Sequence, residues 1–242
     1  MNKLATSIFV ASAIAVSGSF CAAFAQTSSG TPPDSPVLMV GDSMMRLLGV
    51  AMEKQCKKAG IQPAVSFSSL GSGLVRPNVF DWNAKIDELA RAHSPKTVFV
   101  ALGTNDRQTL EGGELGAIRY GAPEWEPEYA RRIGAFMDRL IANGATRVVW
   151  LLLPDMKEAA NQEHAQLVNR IVAAEAQAES RRDRVTLFDL GPVLSRKPGH
   201  FSQFVMSNTG AAVAVRDPDG VHLTSDGAKL CARAILKTFW NK

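Results

Sequence analysis

The sequence is poor in cysteine, and its three cysteines, Cys21, Cys56 and Cys231, lie far apart. No group of cysteine, histidine and acidic residues has the spacing of a four-ligand metal site. No glycine-rich turn resembles a phosphate cradle, and the turn after the first predicted strand lacks the Ser/Thr-Gly cluster that a flavin or nucleotide would need. We therefore predict no metal and no cofactor.

A long apolar run is also missing after residue 25, because no later stretch reaches the roughly 20 apolar residues of a membrane span. We therefore predict no transmembrane segment. The formal net charge is only +4, and the basic residues are scattered along the chain. Because no basic stripe is interleaved with aromatic residues, we expect no nucleic-acid partner. The sequence gives no signal for an oligomeric state.

The first 25 residues have the pattern of a secretory signal peptide. Lys3 supplies a positive start, residues 8–16 are apolar, and Ala23-Phe24-Ala25 fits a small-x-small cleavage site. The residues before Cys21 lack the small residue of a lipoprotein box, so a lipid anchor is not expected. We predict cleavage near Ala25 and a periplasmic or secreted protein, with an extended leader over residues 26–35 and one folded domain over residues 36–242.

Apolar runs at residues 37–40, 97–102 and 148–153 predict buried strands, and residues 64–69 and 185–190 predict two more. Helical spacing follows each strand. This alternation predicts an α/β fold whose parallel sheet is covered on both faces, doubly wound in flavodoxin-like order. We predict a glycine-rich loop containing Tyr120 and Trp125 after the third strand, and an irregular stretch over residues 191–220. Cys56 falls on the first predicted helix and Cys231 on the last.

Ser43 lies where the first strand turns into a helix, so its hydroxyl can project from the sheet edge beside the free N–H groups of the helix start. The alternative interpretation is that Asp42 and Ser43 only cap the start of the helix. The loops at the carboxyl ends of the other strands contain residues that would complete a nucleophilic site: Gly71, Gly73, Asn105, Asp219 and His222.

Four separated blocks resemble the GDSL/SGNH hydrolase family, and they appear in that family's order. The blocks are Gly41-Asp42-Ser43, Ser72-Gly73, Gly103-Thr104-Asn105-Asp106 and Asp219-x-x-His222. The resemblance implies a flavodoxin-like three-layer α/β/α sandwich with a five-stranded parallel sheet. It also implies hydrolysis of esters or thioesters of lipids, glycans or small acyl groups.

The resemblance further implies a role for each matched residue. Ser43 would be the nucleophile, His222 the general base and acid, and Asp219 the group that orients the imidazole. The Ser43 N–H, the Gly73 N–H and the Asn105 amide would form the oxyanion hole. The glycine block departs from the usual Asn or Gly before Ser-Gly, so Gly71 is an alternative to Gly73.

Several of these residues have plainer interpretations. Asp219 lies in a turn-forming stretch, residues 217–220, and Asn105 could also be a turn residue. We expect Asp42 and Asp106 to organise loop backbone, and His164 to pack on the apolar face of its helix.

We predict a serine esterase, first of all a carbohydrate O-acetylesterase acting on an envelope or extracellular glycan, with an acylated glycan or small ester as substrate. The alternatives are a lipid ester or thioester hydrolase, a glycan O-acyltransferase, and a non-catalytic glycan-binding protein on the same fold. In flavodoxin-like order the first and last helices are neighbours, so a Cys56–Cys231 disulfide is a further hypothesis.

Overall fold

The computed structural model describes residues 34–113 and 116–242. The predicted signal peptide and nearly all of the predicted leader lie outside the described residues. The elements in chain order are β1 (Val37–Gly41), α1 (Ser43–Lys58), β2 (Ala64–Ser68), α2 (Trp82–His93), β3 (Thr97–Ala101), β4 (Leu110–Gly113), β5 (Gly116–Ile118), α3 (Trp125–Ala142), β6 (Arg147–Leu152), α4 (Ala159–Ala176), β7 (Val185–Asp189), α5 (Gly191–Leu194), β8 (Phe204–Met206), β9 (Ala212–Ala214) and α6 (Ser225–Trp240).

Five of these strands form the central sheet, in the order β2-β1-β3-β6-β7, and all of its pairs are parallel. Strand β1 lies between β2 and β3, so that Val37 pairs with Ala64 on one side and with Thr97 on the other. Every residue of β1 and β3 is buried, as their unbroken apolar runs indicate. The predicted flavodoxin-like sheet is confirmed.

Alternate residues of each strand face two separate cores, because side chains alternate across a sheet. On β1, Leu38 and Val40 pack with α2, α3 and α4, whereas Val37 and Met39 pack with α1 and α6. The molecule therefore has the three layers of an α/β/α sandwich, and the loops at the carboxyl ends of the strands share one edge.

The structure differs from the sequence prediction in the long connections. The segment predicted as a glycine-rich loop after β3 contains the hairpin β4–β5, and Trp125 is the first residue of α3 rather than a loop residue. The stretch predicted as irregular over residues 191–220 contains the short helix α5 and the hairpin β8–β9. Within the described residues, no helix is both long and apolar enough to cross a membrane.

The predicted Cys56–Cys231 disulfide is wrong, because the structure has both cysteines free. Their helices, α1 and α6, are neighbours as expected. Each thiol is fully buried among the apolar residues of the core between these helices and the sheet. Burial raises the pKa of Cys56 to about 11 and that of Cys231 to about 12, so both side chains behave as small apolar groups.

Candidate active site

Ser43 is the first residue of α1, and only Asp42 separates it from the end of β1. Gly41 packs so closely against the carbonyl oxygen of Ala101 on β3 that a Cβ atom there would collide with it. Asp42 caps the helix by accepting a hydrogen bond from the Met44 N–H at 2.9 Å. As the first helical residue, Ser43 has a backbone N–H without an intrahelical acceptor, next to its own hydroxyl.

A continuous line of hydrogen bonds joins Ser43, His222 and Asp219. The Ser43 Oγ lies 2.8 Å from His222 Nε2, and His222 Nδ1 lies 2.6 Å from Asp219 Oδ2. Because a carboxylate only accepts, the imidazole proton resides on Nδ1, and Nε2 is free to accept the serine proton. The three residues that sequence analysis assigned to a triad are therefore brought together, although 179 positions separate Ser43 from His222.

The Asp219 carboxylate is held by the backbone of its own loop. Its Oδ1 accepts hydrogen bonds from the N–H groups of Val221 and His222, at 2.8 and 3.0 Å. Partial burial opposes ionisation of this group, but the hydrogen bonds from the His222 ring and from the two N–H groups outweigh it and lower the pKa of Asp219 to about 2. The carboxylate is thus ionised in neutral solution and can stabilise an imidazolium.

Asn105 lies in the loop after β3, next to the glycine block. Its Nδ2 donates a hydrogen bond to the backbone carbonyl oxygen of Ser72 at 3.0 Å. Gln108 Nε2 donates to the backbone carbonyl oxygen of Asn105 at 2.5 Å. A primary amide has two N–H donors, so one fixes the side chain while the second is available to a ligand.

The two glycines that could supply an oxyanion N–H differ in their surroundings. Gly73 is buried, and the carboxylate of Asp106 occupies the space that a Cβ atom would need at this position. Gly71 is exposed, has a φ of +69° and has open space around it. Position 73 therefore requires glycine for close packing, whereas position 71 requires it for backbone conformation.

Two fully buried carboxyl groups, those of Asp42 and Asp106, form hydrogen bonds that connect the loops around Ser43, Asn105 and Gly73. Asp42 Oδ2 accepts from the Thr104 N–H at 3.2 Å, which ties the serine turn to the asparagine loop. Asp106 Oδ2 accepts from the Leu74 N–H at 3.2 Å and from the Tyr129 hydroxyl at 2.6 Å, which ties the asparagine loop to the glycine block. Burial raises the pKa of Asp42 to about 7 and also raises that of Asp106. Both residues organise loop backbone, as expected.

A cavity of about 270 Å³ opens beside His222 and Asn105. One wall is His164, which is 3% exposed. Its Nε2 lies 2.9 Å from the Gly103 carbonyl oxygen and therefore carries the proton, while its Nδ1 accepts from the Tyr120 hydroxyl at 3.3 Å. Burial lowers the pKa of His164 and keeps it neutral. The full lining is Thr104, Asn105, Leu153, Met156, Asn161, His164, Ala165, Val221 and His222.

Sequence analysis named the three residues that the line of hydrogen bonds joins, but it missed part of what surrounds them. Met156, in the connection between β6 and α4, and Asn161, in the first turn of α4, line the cavity, and neither lies in a recognisable motif. Arg216, four residues before Gly220, donates hydrogen bonds to the backbone of the histidine loop. A lone arginine in an otherwise apolar stretch, residues 211–216, was the only available signal for it.

Solved structures with a similar fold include a GDSL-like lipase, a lipase/acylhydrolase and an acetyl xylan esterase. A GDSL-like lipase from Bacteroides thetaiotaomicron aligns with a TM-score of 0.55 and 17% identity, over 85% of this chain and 87% of that one. A lipase/acylhydrolase from Enterococcus faecalis aligns at 0.56 and 12%, over 83% and 93%. An acetyl xylan esterase from Geobacillus stearothermophilus aligns at 0.54 and 14%, over 84% and 94%. This chain therefore has the GDSL/SGNH hydrolase fold.

The family itself is defined by a sequence model. The model described as "Protein of unknown function (DUF459)" matches residues 36–238, and the chain belongs to that family. No curated protein matches this chain.

Proposed function

We propose that this protein is a serine esterase that hydrolyses carboxylic esters through a covalent acyl-enzyme. The observation that carries the proposal is the line of hydrogen bonds from Ser43 Oγ to His222 and on to Asp219. A serine hydroxyl is a weak nucleophile unless a base accepts its proton, and here an oriented imidazole nitrogen lies 2.8 Å away.

In the proposed reaction, Ser43 Oγ attacks the ester carbonyl carbon while its proton moves to His222 Nε2. The resulting oxyanion is met by the Ser43 N–H, the Gly73 N–H and the second N–H of the Asn105 amide. Collapse of the intermediate breaks the bond to the alcohol, whose oxygen takes the proton from His222. Water then attacks the acyl-enzyme with His222 again as base, and the carboxylic acid and free Ser43 are released.

We further propose that the substrate is a short-chain ester on a glycan. The site is open, since the side chains of His222 and Asp219 are 34% and 47% exposed, so a chain of sugars can lie across it. The adjoining cavity is small and has polar groups, Asn161 and Thr104, among its lining residues. An acetyl ester on a sugar matches both features. The structurally similar acetyl xylan esterase supports this choice by analogy.

The protein would act outside the cytoplasm, in the periplasm or secreted. This part of the proposal rests on the positive start at Lys3, the apolar residues 8–16 and the Ala23-Phe24-Ala25 site. Expression of the full chain in a bacterial host, followed by mass spectrometry of the exported protein, should give an amino terminus at Gln26. An intact amino terminus in the cytoplasmic fraction would contradict it.

Hydrolysis of nitrophenyl esters tests the activity. We expect the wild type to cleave the acetate faster than the octanoate, and Ser43→Ala to lose at least roughly 10³-fold in kcat. Ser225→Ala is the control, because Ser225, like Ser43, is the first residue of a helix, but it is exposed and lies outside the triad. Acetate release from an O-acetylated glycan then tests the substrate class, and acetyl transfer to an added alcohol identifies an acyltransferase. A preference for octanoate would contradict the short-chain proposal but leave the serine mechanism standing.

A further inference from the structure

Arg216 is a buried arginine in the connection between β9 and α6, and it is only 1% exposed. Its guanidinium donates to backbone carbonyl oxygens: Nη1 to Asp155 at 2.8 Å, and Nη2 to Val221 at 2.8 Å and to Gly220 at 3.2 Å. Nη2 also lies 3.2 Å from the Met156 sulfur. The side chain therefore joins the loop after β6 to the loop that precedes α6.

Burying the charged guanidinium of Arg216 costs free energy, which packing alone does not explain. Within the described part of the chain, Arg216 forms no salt bridge, and its Nε has no hydrogen-bond partner. Burial lowers the pKa of Arg216 to about 10, although the negative charges of Asp219 and Asp155 oppose the shift. Burying a charge costs free energy unless other contacts compensate, and here hydrogen bonds and the Phe201 ring, whose centroid lies 5.2 Å from the guanidinium carbon, take that role. Some other requirement must favour the guanidinium here.

The carbonyl groups that Arg216 binds identify that requirement. Gly220 and Val221 are the two residues between Asp219 and His222, so the guanidinium holds the backbone that carries both members of the acid–base pair. The side chains of Asp219 and His222 are 47% and 34% exposed. Their loop is fixed from within, where the Asp217 N–H also donates to the His222 carbonyl oxygen at 2.9 Å.

We propose that Arg216 is a positioning residue that holds Asp219 and His222 in the geometry needed for proton transfer from Ser43. The proposal rests on the serine esterase function proposed above. The planar fork of arginine is required because its two terminal nitrogens reach carbonyl groups on two different loops. A lysine at this position keeps the charge but presents one nitrogen, and a methionine keeps the volume but donates nothing.

The test compares Arg216→Met and Arg216→Lys with the wild type. A loop displaced by about 1 Å costs about 10²-fold in rate, so we expect kcat for nitrophenyl acetate to fall about 10²-fold in the Met variant and about tenfold in the Lys variant. KM should stay within about threefold, because Arg216 lines no part of the cavity. Arg181→Met is the matched control, since Arg181 is also largely buried but binds Asp138 and Glu175 near the opposite edge of the sheet.

A second measurement does not depend on activity. The chemical shifts of the His222 ring nitrogens, read through the carbon-bound ring protons by NMR, report which nitrogen carries the proton. We expect the Nδ1–H tautomer in the wild type and in Arg181→Met, and a mixture with the Nε2–H tautomer in the Met and Lys variants at position 216. This readout applies even if the wild type hydrolyses no ester, so failure of the esterase proposal is distinguishable.

The kinetic and NMR results together decide whether Arg216 positions Asp219 and His222. A lower kcat with retained KM, together with a changed His222 tautomer, supports the positioning role. A folded variant at position 216 with wild-type kcat and an unchanged tautomer overturns it, whatever happens to its melting temperature. If Arg216→Met does not fold, the Lys variant decides by the same two measurements.

Discussion

The carboxylate of Asp106 fills the space that a Cβ atom would occupy at Gly73. This contact joins the glycine block to the asparagine loop, and it distinguishes Gly73 from Gly71, whose surroundings are open. The two glycines therefore offer a matched pair of substitutions at neighbouring positions.

Gly73→Ala should lower kcat by at least about tenfold, because the added methyl group must displace either the glycine block or the carboxylate that organises it. Gly71→Ala should instead cost about 1 kcal/mol of stability through its positive φ and leave kcat close to wild type. Nitrophenyl acetate kinetics and thermal unfolding measure both effects. The reverse result, with kcat lost only at position 71, would assign the oxyanion N–H to Gly71.

Asn105→Ala should reduce kcat by roughly 10²–10³-fold with little change in KM, because the amide acts on charge that develops only in the transition state. The substitution also removes the hydrogen bond to the Ser72 carbonyl oxygen. Asn78→Ala is a suitable control, since Asn78 is exposed and its amide binds Glu111. If KM rises while kcat is unchanged, Asn105 binds the ground state rather than the oxyanion.

Asp42 should make the folded state less stable as the pH rises from about 4 to about 7. The folded protein keeps this proton up to a pKa of about 7, whereas the unfolded chain loses it near 3.8. Between those values the folded state binds more protons, so its free energy of unfolding falls with pH, by at most about 1.4 kcal/mol per pH unit for one group. Above pH 7 this contribution no longer changes.

Denaturant unfolding of the wild type and Asp42→Asn at several pH values measures this effect. The stability difference between the two proteins should vary across pH 4–7 and become constant above it. Asp183→Asn, an exposed substitution before β7, controls for general charge effects. A difference independent of pH would show that Asp42 is already ionised throughout this range.

The cysteine chemistry of the protein beginning at Gln26 is also predictable. Because Cys56 and Cys231 are free and buried, alkylation without reductant should be slow in the folded protein and should add two groups in denaturant. Intact mass spectrometry counts the groups. Absence of alkylation in denaturant, reversed by a reductant, would restore the disulfide hypothesis.

The sheet and the proximity of Ser43, His222 and Asp219 were predictable because their sequence signals are local. The apolar runs of β1 and β3 indicate buried strands, and Ser43, Asn105 and His222 each follow a strand or precede a helix at the same edge. Trp125 begins α3 rather than ending the loop, and Pro127 is compatible with this because proline is tolerated in the first turn of a helix.

The remaining errors have other physical causes. Hairpins β4–β5 and β8–β9 have strands of three or four residues, too short for a clear period-two pattern. The role of Arg216 could not be predicted from its place in an apolar stretch, because its hydrogen-bond partners are backbone carbonyls, which any sequence supplies.

The most direct test of the proposed mechanism is the site of covalent labelling by a serine-reactive fluorophosphonate, located by peptide mass spectrometry. An oriented base activates only the serine beside it, so we expect one adduct, on Ser43, with its formation much slower in His222→Ala. The exposed Ser225 should stay unlabelled. No adduct on the folded wild type, or an adduct at any other serine, would contradict a catalytic role for Ser43 and favour a non-catalytic glycan-binding protein.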